Sequence, residues 1–320
     1  MDRSRAHLTL LGLGLASLAA TAHAEEASPS ETGTADMRTD QTSPAASSER
    51  PSASESDVHV VGHERVAALL NPMGAEHRLD VSVRGEVGDQ EDMFFDGAHW
   101  QLGATSFVSP VYAIGGGFLE LAPFSFLVLK GEVMGMSVWP IGMDGAGHYA
   151  VSGYDADVHS ANLPADAAGG ASGFTAGGNG TLQGAIELDA RVRLVAADEV
   201  GLYYVRLGTA PHYTSMRYDL VLAREDLVLT NDALLAVEIR AASDLLVRAG
   251  VYSDLRHVPA SGYVGHQVGP IVMLEWSGVA PAIEHLSVWV RGGGFTHHAI
   301  REGEATILGG VAVDYDFGGL

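Results

Sequence analysis

The chain has 320 residues, 47% hydrophobic, with 40 glycines, aromatics at only 7% and no cysteine. Acids outnumber bases 40 to 18, giving a formal net charge of −22, and Lys130 is the only lysine. Such a balance excludes a nucleic-acid binder, because phosphate contacts draw on Lys and Arg. Without thiols there is no disulfide framework, thiolate metal site or Cys nucleophile.

Met1 to Ala24 has the build of a secretory signal peptide. Arg3 and Arg5 make a positive n-region, Leu8 to Ala22 an apolar h-region, and Ala22-His23-Ala24 a small-x-small cleavage site. Residues 25–57 are rich in Ser, Thr, Ala, Glu and Pro and contain no aromatic, so they predict a disordered leader. A single domain over residues 58–320 remains.

From His77 onward the apolar residues recur every second position, the period of a β-strand. Strands are predicted at 77–87, 98–108, 111–121, 124–138, 180–196, 201–211, 226–242, 245–254, 263–276, 284–295 and 304–317. The pattern is plainest over Thr181 to Ala196, where Leu182, Ile186, Leu188, Val192 and Leu194 share one face and Glu187, Asp189, Arg191 and Arg193 the other. Gly97 to Leu119 lacks charge but contains Pro110 and Gly115-Gly116-Gly117, so a spanning helix there is rejected. No amphipathic helix of three turns is evident.

Long strands with one apolar and one charged face suit a transmembrane barrel, which turns the apolar face to lipid. A soluble β-sandwich, with that face turned to its own core, is the other architecture that fits. Single-chain bacterial barrels have even strand numbers. Eleven candidates therefore need repair. Adding Asp57–Arg65 gives twelve strands, and merging 98–121 across a bulge at Ser109-Pro110 gives ten. Twelve is preferred, in an up-and-down closed antiparallel barrel. Ala197-Asp198-Glu199 and Ser243-Asp244 are expected as tight periplasmic turns, and 140–180 as the main extracellular loop.

The closing run Val311-Ala312-Val313-Asp314-Tyr315-Asp316-Phe317, on an exported chain of dyad strands, resembles the end of a Gram-negative outer-membrane β-barrel protein. Asn71 to His77 and Leu229 to Asp232 also resemble stretches of barrels from high-GC, myxobacteria-like species. The resemblance implies location in the outer membrane, contact with its lipid and lipopolysaccharide, and recognition of the last strand by the barrel assembly machinery. Gly318-Gly319-Leu320 after Phe317 depart from the family's aromatic terminus.

With the apolar rows on lipid, the expected lumen lining is Lys130, Glu132, Glu187, Asp189, Arg191, Arg193, Arg206, Glu238, Arg240, Arg248, Asp254, Arg291, Asp314 and Asp316. Interleaved signs suggest an ion-paired interior or a narrow pore that sorts small hydrophilic solutes. Among fourteen histidines, His297-His298, His266 and the His59/His63 pair are the candidates for chemistry. A general base must lie within about 3 Å of its partner, which spacing does not reveal. His59 and His63 would share a metal only on a helix, and neither glycine triplet is followed by the Lys-Ser/Thr of a phosphate loop. No catalytic residue, metal or cofactor is assigned. The expected function is a non-enzymatic barrel, structural or narrowly channel-forming. The alternatives are a barrel hydrolase acting on outer-membrane lipid and a secreted soluble β-sandwich that binds a ligand.

Overall fold

A computed structural model describes residues 58–70, 74–90, 94–142, 147–156, 158, 163, 165–215, 217–298, 301 and 303–319. The predicted signal peptide and leader lie outside the described residues. The described chain runs through β1 (Val58–Leu70), β2 (Gly74–Glu86), β3 (His99–Val108), β4 (Tyr112–Phe124), β5 (Leu127–Val138), β6 (Ala150–Val151), β7 (Ala171–Asp189) and β8 (Val192–Leu207). It continues through β9 (His212–Ser215), β10 (Leu220–Ala223), β11 (Glu225–Ala242), β12 (Leu245–Val258), β13 (Tyr263–Ala280), β14 (Ile283–His297) and β15 (Ala305–Gly319). Twelve of these strands form one closed antiparallel barrel, with β15 returning to pair with β1. The remaining three, β6, β9 and β10, make a separate small sheet. One continuous ladder excludes the two-sheet sandwich.

Alternation along each strand separates two environments. On β2, Glu76, Arg78, Asp80 and Ser82 are buried inside, while Leu79 and Val81 between them are exposed outside. The same outer rows carry Leu102, Leu119, Leu129, Val133, Leu182, Val200, Leu235, Val251, Val272, Val290 and Ile307, all exposed. Water-facing barrels bury such side chains, and this one buries its charges instead.

The two ends of the barrel differ. At one end, β4–β5, β7–β8, β11–β12 and β13–β14 are joined by two-residue turns, and residues 87–98 connect β2 to β3. Both ends of the barrel chain, Val58 and Gly319, are also there. At the other end, residues 139–170 and 208–224 make the two longest connections. We call these the turn end and the loop end.

Several boundaries differ from the sequence expectation. Residues 180–196 are two strands that meet at the turn Ala190-Arg191, and Ala197-Asp198-Glu199 lies inside β8. A two-residue turn keeps outward residues at even positions on both sides, so the alternation reads straight through it. Ser243-Asp244 is a turn, as expected. Residues 171–180 belong to β7 rather than to the long loop. Their glycines concealed the strand, and Gly177 is required there because a Cβ would lie 2.3 Å from the Leu202 carbonyl oxygen. The ten-strand merger fails at Ser109, whose hydroxyl oxygen accepts from the Val111 and Tyr112 N–H groups and fixes a turn between β3 and β4.

Aromatic rings gather at the turn end. Phe124 and Phe126 stack at 5.3 Å, with Phe95 5.7 Å from Phe124. Trp100 covers Gly85, and Phe317 covers Gly62 while stacking on Tyr315.

Candidate functional site: a charged lumen under a loop plug

The lumen is built from the inward rows, and its charges are joined across strands. Arg248 donates to Glu238 at 2.7 Å and to Glu275 at 2.9 Å, and Arg193 donates to the same Glu238. Arg256 pairs with Asp232 at 3.0 Å and Asp254 at 3.1 Å, and Arg291 reaches Asp254 at 3.4 Å. Across the barrel, Arg78 holds Asp80, while Arg65 and the Tyr112 hydroxyl both donate to Glu76. Each charge has left water, which is tolerable only because opposite charges and donors replace the lost hydration.

Toward the turn end the lumen widens into a cavity of about 480 Å³. Its rim includes His59, Glu86, Asp96, Glu284 and Asp316, and its floor reaches Glu132, Asn179 and Glu199. His59 and His63 do not converge. They pair separately with Asp316 at 3.0 Å and Asp314 at 2.5 Å. Inside, Glu120 accepts from His99 at 3.1 Å, and Lys130 lies 3.9 Å from Glu120 and 4.1 Å from the Phe118 ring centroid. Nine carboxylates line the cavity against Arg78, Arg84 and Lys130, so its field favours cations. Among the described residues no group of three or more His, Asp or Glu is arranged to hold a metal ion.

Above Glu132 the lumen is closed. The connection from β8 to β11 folds inward, placing Tyr213, Tyr218, Leu220 and Leu222 against Phe107, Ile114, Met134, Val205 and Val258 of the wall. Arg217 descends from this loop to donate to Glu132 at 3.2 Å, with its guanidinium 5.1 Å from the Phe107 ring. Asp219, in the left-handed region at φ 52°, accepts from Arg301 at 3.0 Å and faces His298 at 3.2 Å. Burial pushes the Asp219 carboxyl up, but Arg301 and His298 outweigh it and hold it at about 2. The small sheet continues into the long loop, where His148 packs 4.9 Å from the Tyr213 ring and burial lowers its pKa.

Of the residues singled out from sequence, Lys130, Glu132, Arg193, Glu238, Arg248, Asp254, Arg291, Asp314 and Asp316 lie on the inward rows. Arg206 does not. It occupies an even, outward position of β8, half exposed, 3.6 Å from Glu225. Glu187, Asp189, Arg191 and Arg240 sit exposed at the turn end, where β7 and β11 reach their hairpins, and the Asp189 carboxylate accepts from the Ala190 N–H. His298 is buried in the plug contact and His297 is exposed at the end of β14. Sequence reasoning missed Arg78, Asp80, Asp232, Arg256 and Glu275, although Arg78 and Asp80 alternate with Leu79 and Val81 and were legible by parity. Arg217, Asp219 and Arg301 lie in connections without periodicity, so only the folded loop identifies them.

The sequence matches no protein-family model and no curated protein. Among solved structures the chain is similar to the NanC porin at 9% identity, covering 79% of this chain and 98% of that one, with a TM-score of 0.37. It is similar to the transport unit of the autotransporter AIDA-I from Escherichia coli at 9% identity, covering 85% and 93%, with a TM-score of 0.39. The translocator domain of the autotransporter NalP from Neisseria meningitidis gives 9% identity, 84% and 90% coverage, and a TM-score of 0.38. Likenesses this loose carry no argument about activity, and the barrel is established by its own closed ladder.

Proposed function

We propose that this chain is an outer-membrane β-barrel protein of a Gram-negative bacterium whose lumen is a narrow, cation-preferring channel for small hydrophilic solutes, held shut by its loop plug. The membrane reading rests on the inverted barrel, since exposed Leu, Val and Ile rows outside buried ion pairs suit lipid and not water. In this reading the short turns face the periplasm and the plug faces outside, as in bacterial barrels. Export by Met1 to Ala24, recognition of β15 by the assembly machinery and contact with lipopolysaccharide belong to the same proposal. The source in a high-GC, myxobacteria-like species rests on sequence likeness alone.

One observation carries the channel reading: an acidic vestibule at the turn end reaches down to Glu132, where Arg217 of the plug is bound. In planar bilayers the wild-type protein is expected to show rare, small openings. Arg217→Ala should raise open probability several-fold, with currents reversing toward the cation side in a salt gradient. Silence from both proteins, once both are shown to be inserted, would reduce the barrel to a structural role.

A further inference from the structure

Three polar side chains stand together on the outer face near the loop end, beside exposed apolar side chains. The Ser253 hydroxyl lies 3.0 Å from His266 Nε2, and His266 Nδ1 lies 2.5 Å from Thr296 Oγ1. Ser253 shares an outward row with exposed Val251, and His266 with exposed Val268. Thr296 is brought in by a bulge. His266 pairs with His297 and Gln267 with Phe295, which leaves Thr296 as the extra residue on β14. Bulges of this kind re-aim a side chain. The Thr296 hydroxyl also donates to the His266 carbonyl oxygen at 3.5 Å, so its oxygen is left to accept from Nδ1–H. In the tautomer protonated at Nδ1, Nε2 accepts from Ser253, the order nucleophile, base, orienting group.

From this we infer that Ser253, His266 and Thr296 form a hydrolytic site on the barrel exterior that cleaves acyl esters of membrane lipids. The inference goes beyond the channel and rests on the membrane reading only for where the outer face lies. Depth supports the substrate class. Ser253 is five residues from the end of β12, His266 three from the start of β13, and Thr296 one from the end of β14. The three therefore stand near the loop-end rim, flanked by exposed Val251 and Val268, and on the membrane reading a barrel's rim is where lipid ester carbonyls meet it. Polar groups facing hydrocarbon are costly, and their presence where Leu or Val would serve points to chemistry. Other polar clusters share the outer face, Glu64 with His77 and Tyr315, Asn231 with Asp198, and Glu225 with Tyr204 and Arg206, but none of these contains a serine.

In the reaction, Ser253 Oγ attacks the ester carbonyl carbon while its proton passes to His266 Nε2. The carbon–oxygen bond to the glycerol oxygen then breaks, and Nε2 returns the proton to that oxygen. A water molecule, deprotonated by the same nitrogen, cleaves the acyl-serine, releasing a fatty acid and restoring the hydroxyl.

Full-length protein, folded in detergent and reconstituted into phosphatidylethanolamine–phosphatidylglycerol vesicles, would be assayed for fatty-acid release by mass spectrometry. It would also be exposed to a long-chain alkyl phosphonofluoridate, which loses fluoride on bonding to an activated serine oxygen. The wild type is expected to release fatty acid and to gain one phosphonyl adduct on Ser253. Ser253→Ala and His266→Gln should each lower release by about a thousandfold or more and abolish labelling, whereas Ser106→Ala on the far side of the barrel changes neither. Thr296 is a positioning residue, so Thr296→Val should lower kcat with little change in KM, and Thr296→Ser should restore it. A barrel that floats with vesicles and shows heat-modifiable migration, yet neither releases fatty acid nor is labelled, overturns the site alone. Release that persists in Ser253→Ala overturns it as well. Failure to insert overturns the membrane reading together with the site.

Discussion

Arg248 shows what single residues contribute to this barrel. It separates Glu238 from Glu275, both buried, and its removal leaves two carboxylates in the lumen with fewer cations to share. Breaking a buried pair from one side costs about 3–5 kcal/mol. Arg248→Met should therefore lower the temperature at which the folded, fast-migrating gel band is lost, while Glu275→Gln combined with Arg248→Met should recover part of the loss. Asp219 supplies the pH dependence. Its folded pKa of about 2 lies below the ordinary 3.8, so the stabilisation is complete above pH 4 and is lost as pH falls through about 2. His148, lowered by burial, adds in the same direction, because protonating it on acidification opposes its packing. Single-channel recordings from pH 7 downward should show longer openings as the pH falls, and Asp219→Asn should show them at neutral pH. The charges themselves could be read from alternation, but their pairing could not. Glu238 and Arg240 are neighbours on one face of the sequence pattern, yet Glu238 is bound by Arg193 and Arg248 from the adjoining strands.

Among elements, the hairpins explain both the success and the errors of reading in twos. Periodicity of two passes through the turn at Ala190-Arg191 without a break, so it identifies faces well and strand ends poorly. Pro110 and Ser109 did mark a boundary, because a Ser hydroxyl that holds two N–H groups ends a strand more firmly than any change in hydropathy. The small sheet of β6, β9 and β10 was invisible for the opposite reason, having strands too short to show a period. Its function as a plug is open to measurement. Replacing residues 212–223 with a Gly-Ser linker should raise single-channel conductance severalfold while leaving heat-modifiable migration in place. In the wall, Gly116→Ala should prevent folding, since a Cβ there would lie 2.0 Å from the Val133 carbonyl oxygen, a backbone atom that cannot yield.

For the molecule as a whole, the distribution of tryptophan offers a direct test of which side faces lipid. Trp100 and Trp276 are on outward rows, whereas Trp289 is buried inside with Leu69, Met273 and Leu308. In vesicles containing brominated lipid, a variant retaining only Trp276 should lose most of its fluorescence, and one retaining only Trp289 should lose little. Equal quenching of the two would contradict the inverted barrel. The architecture was largely legible in the sequence, since long dyad strands and an even count left ten or twelve, and β1, faint in its pattern, and the Ser109 turn make it twelve. The Ser253, His266 and Thr296 arrangement was not legible, because it joins three strands through one bulge. Spacing along a chain carries no record of that.

The pairing of β15 with β1 has a consequence for how the molecule is made. His63 bonds to Asp314, 251 residues away, so the contact that seals the wall is among the least local in the chain. Contacts of such long range are formed late, after the entropy of a very large loop has been lost. Until Phe317 has arrived, every intermediate presents two raw strand edges, each able to pair with a neighbouring chain. A nascent barrel therefore gains nothing from being nearly finished, and a chain cut before Ala305 should aggregate rather than settle as an eleven-stranded relative. Synthesis runs from β1 to β15, but completion is a single event, in which the last strand to appear meets the first.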